Sequence, residues 1–172
     1  MDLSKAKKIS VVGNSAAGKS TLSKALGCSL GIEVFSIDRI YWLSGWKLRD
    51  HDSYNRLHEK WLGMDSWIIE GVGYWNELER RISESDIVIF LDVPVELCKK
   101  KAEIRIKEES LTPNPNITSG CVYGEVKDHQ MEVIEYFNSE LRSKLSDYLS
   151  SLSQEKVKVI SSYSELNIDN ET

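Results

Sequence analysis

Positive charge is in short supply in this chain. Its 172 residues hold 22 Lys and Arg against 27 Asp and Glu, a net charge of −5. That balance leaves no broad basic face to track a phosphate backbone. With no helix-turn-helix and no basic arm, direct DNA binding is not expected. Cysteine is scarce too. Cys28, Cys98 and Cys121 form an odd set with no CxxC pair. They suit a reducing cytosol and read as core or incidental thiols. No apolar run approaches a membrane span. The opening MDLSKAKK leads straight into a strand signal, so a cytoplasmic protein without a secretory leader is expected. His51, His58 and His129 lack metal-ligand spacing and receive no site. No internal repeat or low-complexity tract is visible. An apolar content of 41% and a charged content of 28% are ordinary for a soluble chain. One domain over 1–172 is expected.

What is present is concentrated in VVGNSAAGKST, Val11 to Thr21. The apolar run before Gly13 reads as a buried strand, and the residues after Gly18 read as a helix. The spacing G-x-x-x-x-G-K-S from Gly13 to Ser20 is the P-loop pattern. Gly13 lets the chain leave the strand. Gly18 lets the backbone approach an anion. The amides of Asn14, Ser15, Ala16 and Ala17 would cradle phosphates at the positive end of the helix. Lys19 would reach the β and γ phosphates, Ser20 would bind Mg²⁺, and Thr21 completes the loop. A glycine-rich turn before an ordinary helix is the plainer alternative. Chance alone would produce the pattern on the order of once per hundred chains of this length.

Strand and helix signals alternate along the rest of the chain. The first helix carries Leu22, Ala25, Leu26 and Leu30 on one face, with Gly31 as its C-terminal cap. A short strand near Glu33 to Ile37 leads into an aromatic loop, IDRIYWLSGWK. A helix capped by Asp52 or Ser53 carries Leu57, Trp61 and Leu62. WIIE, Trp67 to Glu70, is a strand stopped by Gly71 and Gly73, and a short helix then carries Leu78 and Ile82. IVIFLDVP, Ile87 to Pro94, is the clearest buried strand. The helix after it runs to about Glu109. A long polar-faced helix covers roughly Glu125 to Ser151, and VKVI, Val157 to Ile160, is a last strand. This alternation implies βαβ units around a parallel sheet, a three-layer α/β sandwich.

Several side chains can carry chemistry on this frame. Glu70 ends a strand beside two glycines, at the edge where α/β sheets bind ligands, and can hold Mg²⁺. A solvated strand end is the alternative. Asp92 also ends a strand and reads first as a cap for the helix opening at Pro94, with a metal role as the alternative. Lys101 and Arg105 lie four apart on one helix and can clamp a phosphate, or form a solvated basic face. Asp38 should stand at the carboxyl end of the second strand, facing the same crevice as the P-loop. There it can orient a substrate hydroxyl for in-line attack; a turn cap is its plainer role. Arg39 beside it can hold an anionic group on the acceptor. Trp42 and Trp46 can wall the acceptor pocket, while Trp61 and Trp67 read as core.

The order GNSAAGKST, IDRIYW with SGW, WIIEG, then SDIVIFLDVP resembles the small P-loop kinase-like proteins labelled "DNA topology modulation protein". The resemblance runs from about Lys8 to Arg105. Their wider kin, the adenylate kinase-like and shikimate kinase-like enzymes, use a five-stranded parallel sheet, ATP and Mg²⁺. The resemblance implies that Gly13 to Thr21 binds ATP and that Glu70 and Gly71 fall where those kinases often carry Asp-Gly. It places Lys101 and Arg105 where adenylate kinases carry two lid-hinge arginines, and the first departs from arginine. It implies a lid over 108–130, where the sequence has no arginine; Arg142 is the substitute.

The expected function is ATP- and Mg²⁺-dependent phosphoryl transfer to a nucleotide, nucleoside or hydroxylated metabolite. A nucleotide-binding regulator that transfers nothing and a DNA-associated factor are the alternatives.

Overall fold

The computed structural model describes residues 3–109 and 117–162. The P-loop strand β1 (Lys8–Gly13) lies at its centre. β2 (Val34–Ser36), β5 (Trp67–Glu70), β6 (Ile87–Leu91) and β7 (Val157–Ile160) complete a five-stranded sheet in the order β2-β5-β1-β6-β7. Every pairing is parallel. The three central strands read as near-continuous apolar runs because both of their faces are buried.

Side chains alternate between the two faces. Ile9, Val11, Ile68, Ile87, Ile89 and Leu91 face one core, under α1 (Lys19–Leu30), α5 (Val95–Glu109) and α6 (Lys127–Tyr136). On the other face, Val12, Val88 and Phe90 pack against α4 (Trp75–Glu84) and α7 (Arg142–Ser150). Trp67 and Ile69 pack there against α2 (Ile37–Tyr41) and α3 (His51–Leu62). The result is the expected three-layer sandwich.

Local departures have physical reasons. β2 stops at Ser36, because Ile37 opens the short helix α2. The aromatic segment is not a plain loop. β3 (Trp42–Leu43) pairs antiparallel with β4 (Lys47–Leu48) across a turn in which Gly45 and Trp46 take φ values of 72° and 57°. The cap of α3 is Asp50 rather than Asp52 or Ser53; its carboxylate accepts the Ser53 amide at 2.9 Å. Ala25 is exposed, and Leu22, Leu26 and Leu30 seat α1 with buried Ser23 and Gly27. The long C-terminal helix is broken by a π turn over Phe137–Leu141, which separates α6 from α7. β6 ends at Leu91, where the Asp92 amide turns to the Ile160 carbonyl at 2.9 Å.

The register fixes which groups meet at the carboxyl edge. Val11 stands opposite Glu70, and Ser36 lies on the far side of Glu70. Gly13 lies opposite Leu91 so closely that a Cβ there would sit 2.6 Å from the Leu91 carbonyl oxygen. The P-loop, the start of α2 and the Gly71–Gly73 turn therefore open onto one crevice.

Candidate active site

The P-loop is built as its spacing demands. Gly18 takes φ 92° as the N-cap of α1, and Ala16 takes φ 58°, so the intervening amides turn inward. Asn14 is buried and holds the loop in place. Its amide donates to the Ile134 carbonyl at 3.0 Å, and its side-chain oxygen accepts the Ser15 amide at 2.7 Å. The Lys19 ammonium donates to the Asn14 carbonyl at 2.8 Å, across the mouth of the loop.

Glu70, almost fully buried, accepts a hydrogen bond from the Ser20 hydroxyl at 3.0 Å. These two oxygens beside Lys19 suit Mg²⁺, which prefers a few hard oxygen ligands and completes its shell with water and phosphate. No group of three or more metal-ligating side chains occurs among the described residues. Gly71 follows with φ 112°, and a Cβ there would lie 2.8 Å from the Ile37 Cβ, so β5 and α2 close tightly.

Asp38, in the first turn of α2, stands between these groups. Its exposed surface opens onto the bottom of the cleft. Burial and then the Glu70 carboxylate push its carboxyl above the ordinary value, while Lys19 and Arg105 pull it back.

The cleft has two lobes that share Ser15, Lys19, Asp38 and Tyr123. The first, of about 410 Å³, runs along the P-loop to Lys101 and Arg105. Arg105 reaches the Ser15 hydroxyl at 3.5 Å and lies 4.0 Å above the Tyr123 ring. The second lobe, of about 540 Å³, is lined by Trp42, Trp46, Gly71, Tyr123 and the inner side of α6. A depression of about 850 Å³ at the amino edge, between Lys5, Asp86 and Lys156, touches none of these residues.

The structure thus gathers Gly13 to Ala16, Gly18 to Thr21, Asp38, Trp42, Trp46, Glu70, Gly71, Lys101 and Arg105 on one crevice, while Ala17 is buried in the core and lines neither lobe. It does not bring Arg39 or Arg142 there. Arg39 is exposed and lines neither lobe. Arg142 grips Asp92 through two bonds, of 2.6 and 2.9 Å, and also lines neither lobe. That pair consumes the phosphate-binding fork expected of Arg142 and accounts for Asp92.

Sequence reasoning missed many of the lining residues. Tyr41, Tyr123, His129 and Gln130 all face the second lobe. Gln130 donates to the Ser15 hydroxyl at 2.6 Å, tying α6 to the P-loop. Nothing in a lone Gln on a polar helix signals that contact. His51 instead meets Glu77 at 2.7 Å. His58 is fully buried, and burial with Arg81 and Arg80 nearby holds its pKa down at about 3.

No protein-family model and no curated protein matches the chain. Solved structures do. The shikimate kinase of Bacteroides thetaiotaomicron is 16% identical, over 91% of this chain and 86% of its own, with a TM-score of 0.52. The deoxyadenosine kinase of M. mycoides is 17% identical, over 89% of this chain and 88% of its own, with a TM-score of 0.49. A shikimate kinase of Acinetobacter baumannii, solved with shikimate, is 18% identical, over 84% of this chain and 96% of its own, with a TM-score of 0.47. The chain has the five-stranded parallel α/β fold of P-loop kinases. No helix among the described residues is long and apolar enough to cross a membrane.

Proposed function

We propose that this protein transfers the terminal phosphoryl group of Mg-ATP to a hydroxyl of a small acceptor. The observation that carries the reading is the place of Asp38, where a P-loop lobe and an aromatic lobe join. Bound Mg-ATP supplies the phosphoryl group and the charge that offsets its oxygens. The loop amides and Lys19 hold the phosphates. Ser20 and Glu70 hold the metal or its waters. Arg105 faces the phosphates from α5, with Lys101 exposed farther out on the same helix. Asp38 accepts the proton of the acceptor hydroxyl as its oxygen bonds to phosphorus and the bond to the ADP oxygen breaks. Catalysis on this reading is mostly positioning and charge neutralisation.

Three further proposals accompany it. The motif order supports kinship with the proteins labelled "DNA topology modulation protein". The three free thiols support a cytoplasmic location. Segment 108–130 serves as the lid of a single domain; part of it, 110–116, lies outside the described residues. In its described part, the 117–123 stretch is fastened to the β3–β4 hairpin. The Trp46 indole donates to the Val122 carbonyl at 3.0 Å, and the Gly45 amide to the Gly120 carbonyl at 3.0 Å.

The test is an ADP-release screen across nucleosides, nucleotides and small hydroxylated metabolites. Release that depends on one acceptor class is expected. Tight Mg-ATP binding without acceptor-dependent release would make the protein a nucleotide-dependent regulator instead, and salt-dependent duplex binding would point to DNA.

A further inference from the structure

We infer that the acceptor is a neutral molecule with a flat aromatic ring and a hydroxylated arm, a nucleoside rather than a nucleotide or a hydroxy acid. The inference rests on the proposed phosphoryl transfer for its direction, but on separate observations for its content.

The first observation is an aromatic wall. Tyr41, Trp42, Trp46 and Tyr123 follow one another with ring centroids 5.0, 5.5 and 5.1 Å apart. All four line the second lobe, and Tyr123 also reaches the P-loop lobe. Neighbouring rings meet at 84°, 78° and 54°, so the wall offers ring faces and edges in turn, and a planar ring can stack on one face while others meet its edge. Trp46 is held in an uncommon left-handed backbone conformation, φ 57°, with its indole fastened to the Val122 carbonyl. Such a conformation in a bulky residue persists only where its surroundings fix it, and functional sites are where this occurs.

The second observation is the absence of cations. Among the described residues, Lys19 is the only Lys or Arg that lines this lobe. The residues outside the description, 1–2, 110–116 and 163–172, contain neither Lys nor Arg. Lys19 stands where the two lobes meet and Arg105 lines the P-loop lobe alone; on the proposed reading both serve the donor phosphates. The His129 imidazole lies 3.6 Å from the Glu132 carboxylate. An acceptor carboxylate or phosphate would find no cation in this lobe besides Lys19, which the donor phosphates occupy, and an anion left without a partner is disfavoured. A phosphate offered as the attacking group would fare no better, because at the junction it meets Asp38 with Glu70 close behind. A hydroxyl meets Asp38 as a hydrogen-bond donor. Two polar groups on the lobe, exposed His129 and buried Gln130, can meet the edge of a base.

The experiment loads the protein with Mg²⁺ and a non-hydrolysable ATP analogue. Binding of adenosine, thymidine, their 5′-monophosphates and shikimate is then measured by calorimetry and tryptophan fluorescence. At least one nucleoside should bind roughly tenfold or more tightly than its own monophosphate and than shikimate, which is about 1.4 kcal/mol. Equal or tighter binding of a monophosphate or of shikimate, or no nucleoside binding at all, would overturn the inference. ADP release with ordinary ATP is read separately on the same acceptors. Nucleoside binding without release sinks the kinase reading and leaves the assignment of the lobe standing. Release driven by shikimate without nucleoside binding does the reverse. Leu48→Arg gives a second readout, because Leu48 is exposed at 56% on the lobe's rim and tolerates charge. It should raise monophosphate affinity roughly tenfold. An unchanged affinity would show that a missing cation does not set the preference.

Discussion

At the scale of single residues, the account turns on Lys19, Glu70 and Asp38. Lys19 donates to the Asn14 carbonyl across the P-loop mouth, where its charge can meet phosphate. Lys19→Ala should weaken Mg-ATP binding at least tenfold, roughly 1.4 kcal/mol or more, with an unchanged fold. Calorimetry showing wild-type affinity would remove the basis of the P-loop reading. Glu70→Gln keeps a partner for Ser20 but loses the charge. It should lower turnover more than ATP affinity and raise the Mg²⁺ concentration that turnover needs. An unshifted Mg²⁺ dependence would leave Glu70 a structural strand end. Asp38 has a carboxyl pushed up by burial and by Glu70. Its charged form therefore costs stability in the fold, and the cost is full above its folded pKa. Asp38→Asn should raise Tm by a few degrees at neutral pH. Turnover of the wild type should fall with acid at a pH above the ordinary carboxylate range, because only the ionised carboxylate takes the proton. A lowered Tm would mean that Asp38 caps α2 instead.

At the scale of elements, two joints hold the site. One is the turn after β5. Arg81 on α4 is fully buried and donates to the Gly71 carbonyl at 2.5 Å, next to Glu70. Desolvation pulls its pKa down to about 10, so this charge is expensive to hold. Behind it, His58 stacks on Tyr54 at 5.8 Å and faces Arg81 and Arg80. Native His58 stays neutral down to about 3, whereas in the unfolded chain it takes a proton near 6.5. The unfolded state thus binds more protons in that window, and stability is lost as pH falls through it. The slope contributed is about 1.4 kcal/mol per pH unit. His58→Phe should flatten the acid side of the stability curve measured by denaturant titration. A slope unchanged in the variant would assign the acid lability to other groups. The second joint fastens the β3–β4 hairpin to 117–123, through Trp46, Gly45 and the Thr118 hydroxyl on the Trp42 carbonyl at 2.9 Å. If this is the lid's seat, amide exchange over 117–126 should slow when nucleotide and acceptor are both bound. Equal protection with and without them would count against a lid.

At the scale of the molecule, most of the frame could be read in advance because its signals are local. Ile9 to Gly13, Trp67 to Glu70 and Ile87 to Leu91 are apolar runs ended by glycine or a carboxylate, and a doubly covered parallel strand looks like that. Glu70 followed, since strand ends of one parallel sheet share an edge; Asp38 reaches that edge from the first turn of α2, two residues past the end of β2. The rest depends on contacts distant in the chain. Gln130 reaches Ser15 across 115 positions. Arg142 finds Asp92 across 50. The hairpin at Trp42–Leu48 depends on a left-handed Trp46 that propensity disfavours. Distant pairings decide which cations reach the crevice, and so its charge was not legible. The central claim is that Asp38 and the P-loop act on one substrate in this crevice. The measurement closest to it is transfer of γ-labelled phosphate from ATP to an acceptor, compared between wild type and Asp38→Asn at saturating Mg-ATP. The account predicts a labelled phosphomonoester with wild type, a loss on the order of a hundredfold or more with Asp38→Asn, and equal ATP affinity in both. Near wild-type transfer by a folded Asp38→Asn protein would contradict it.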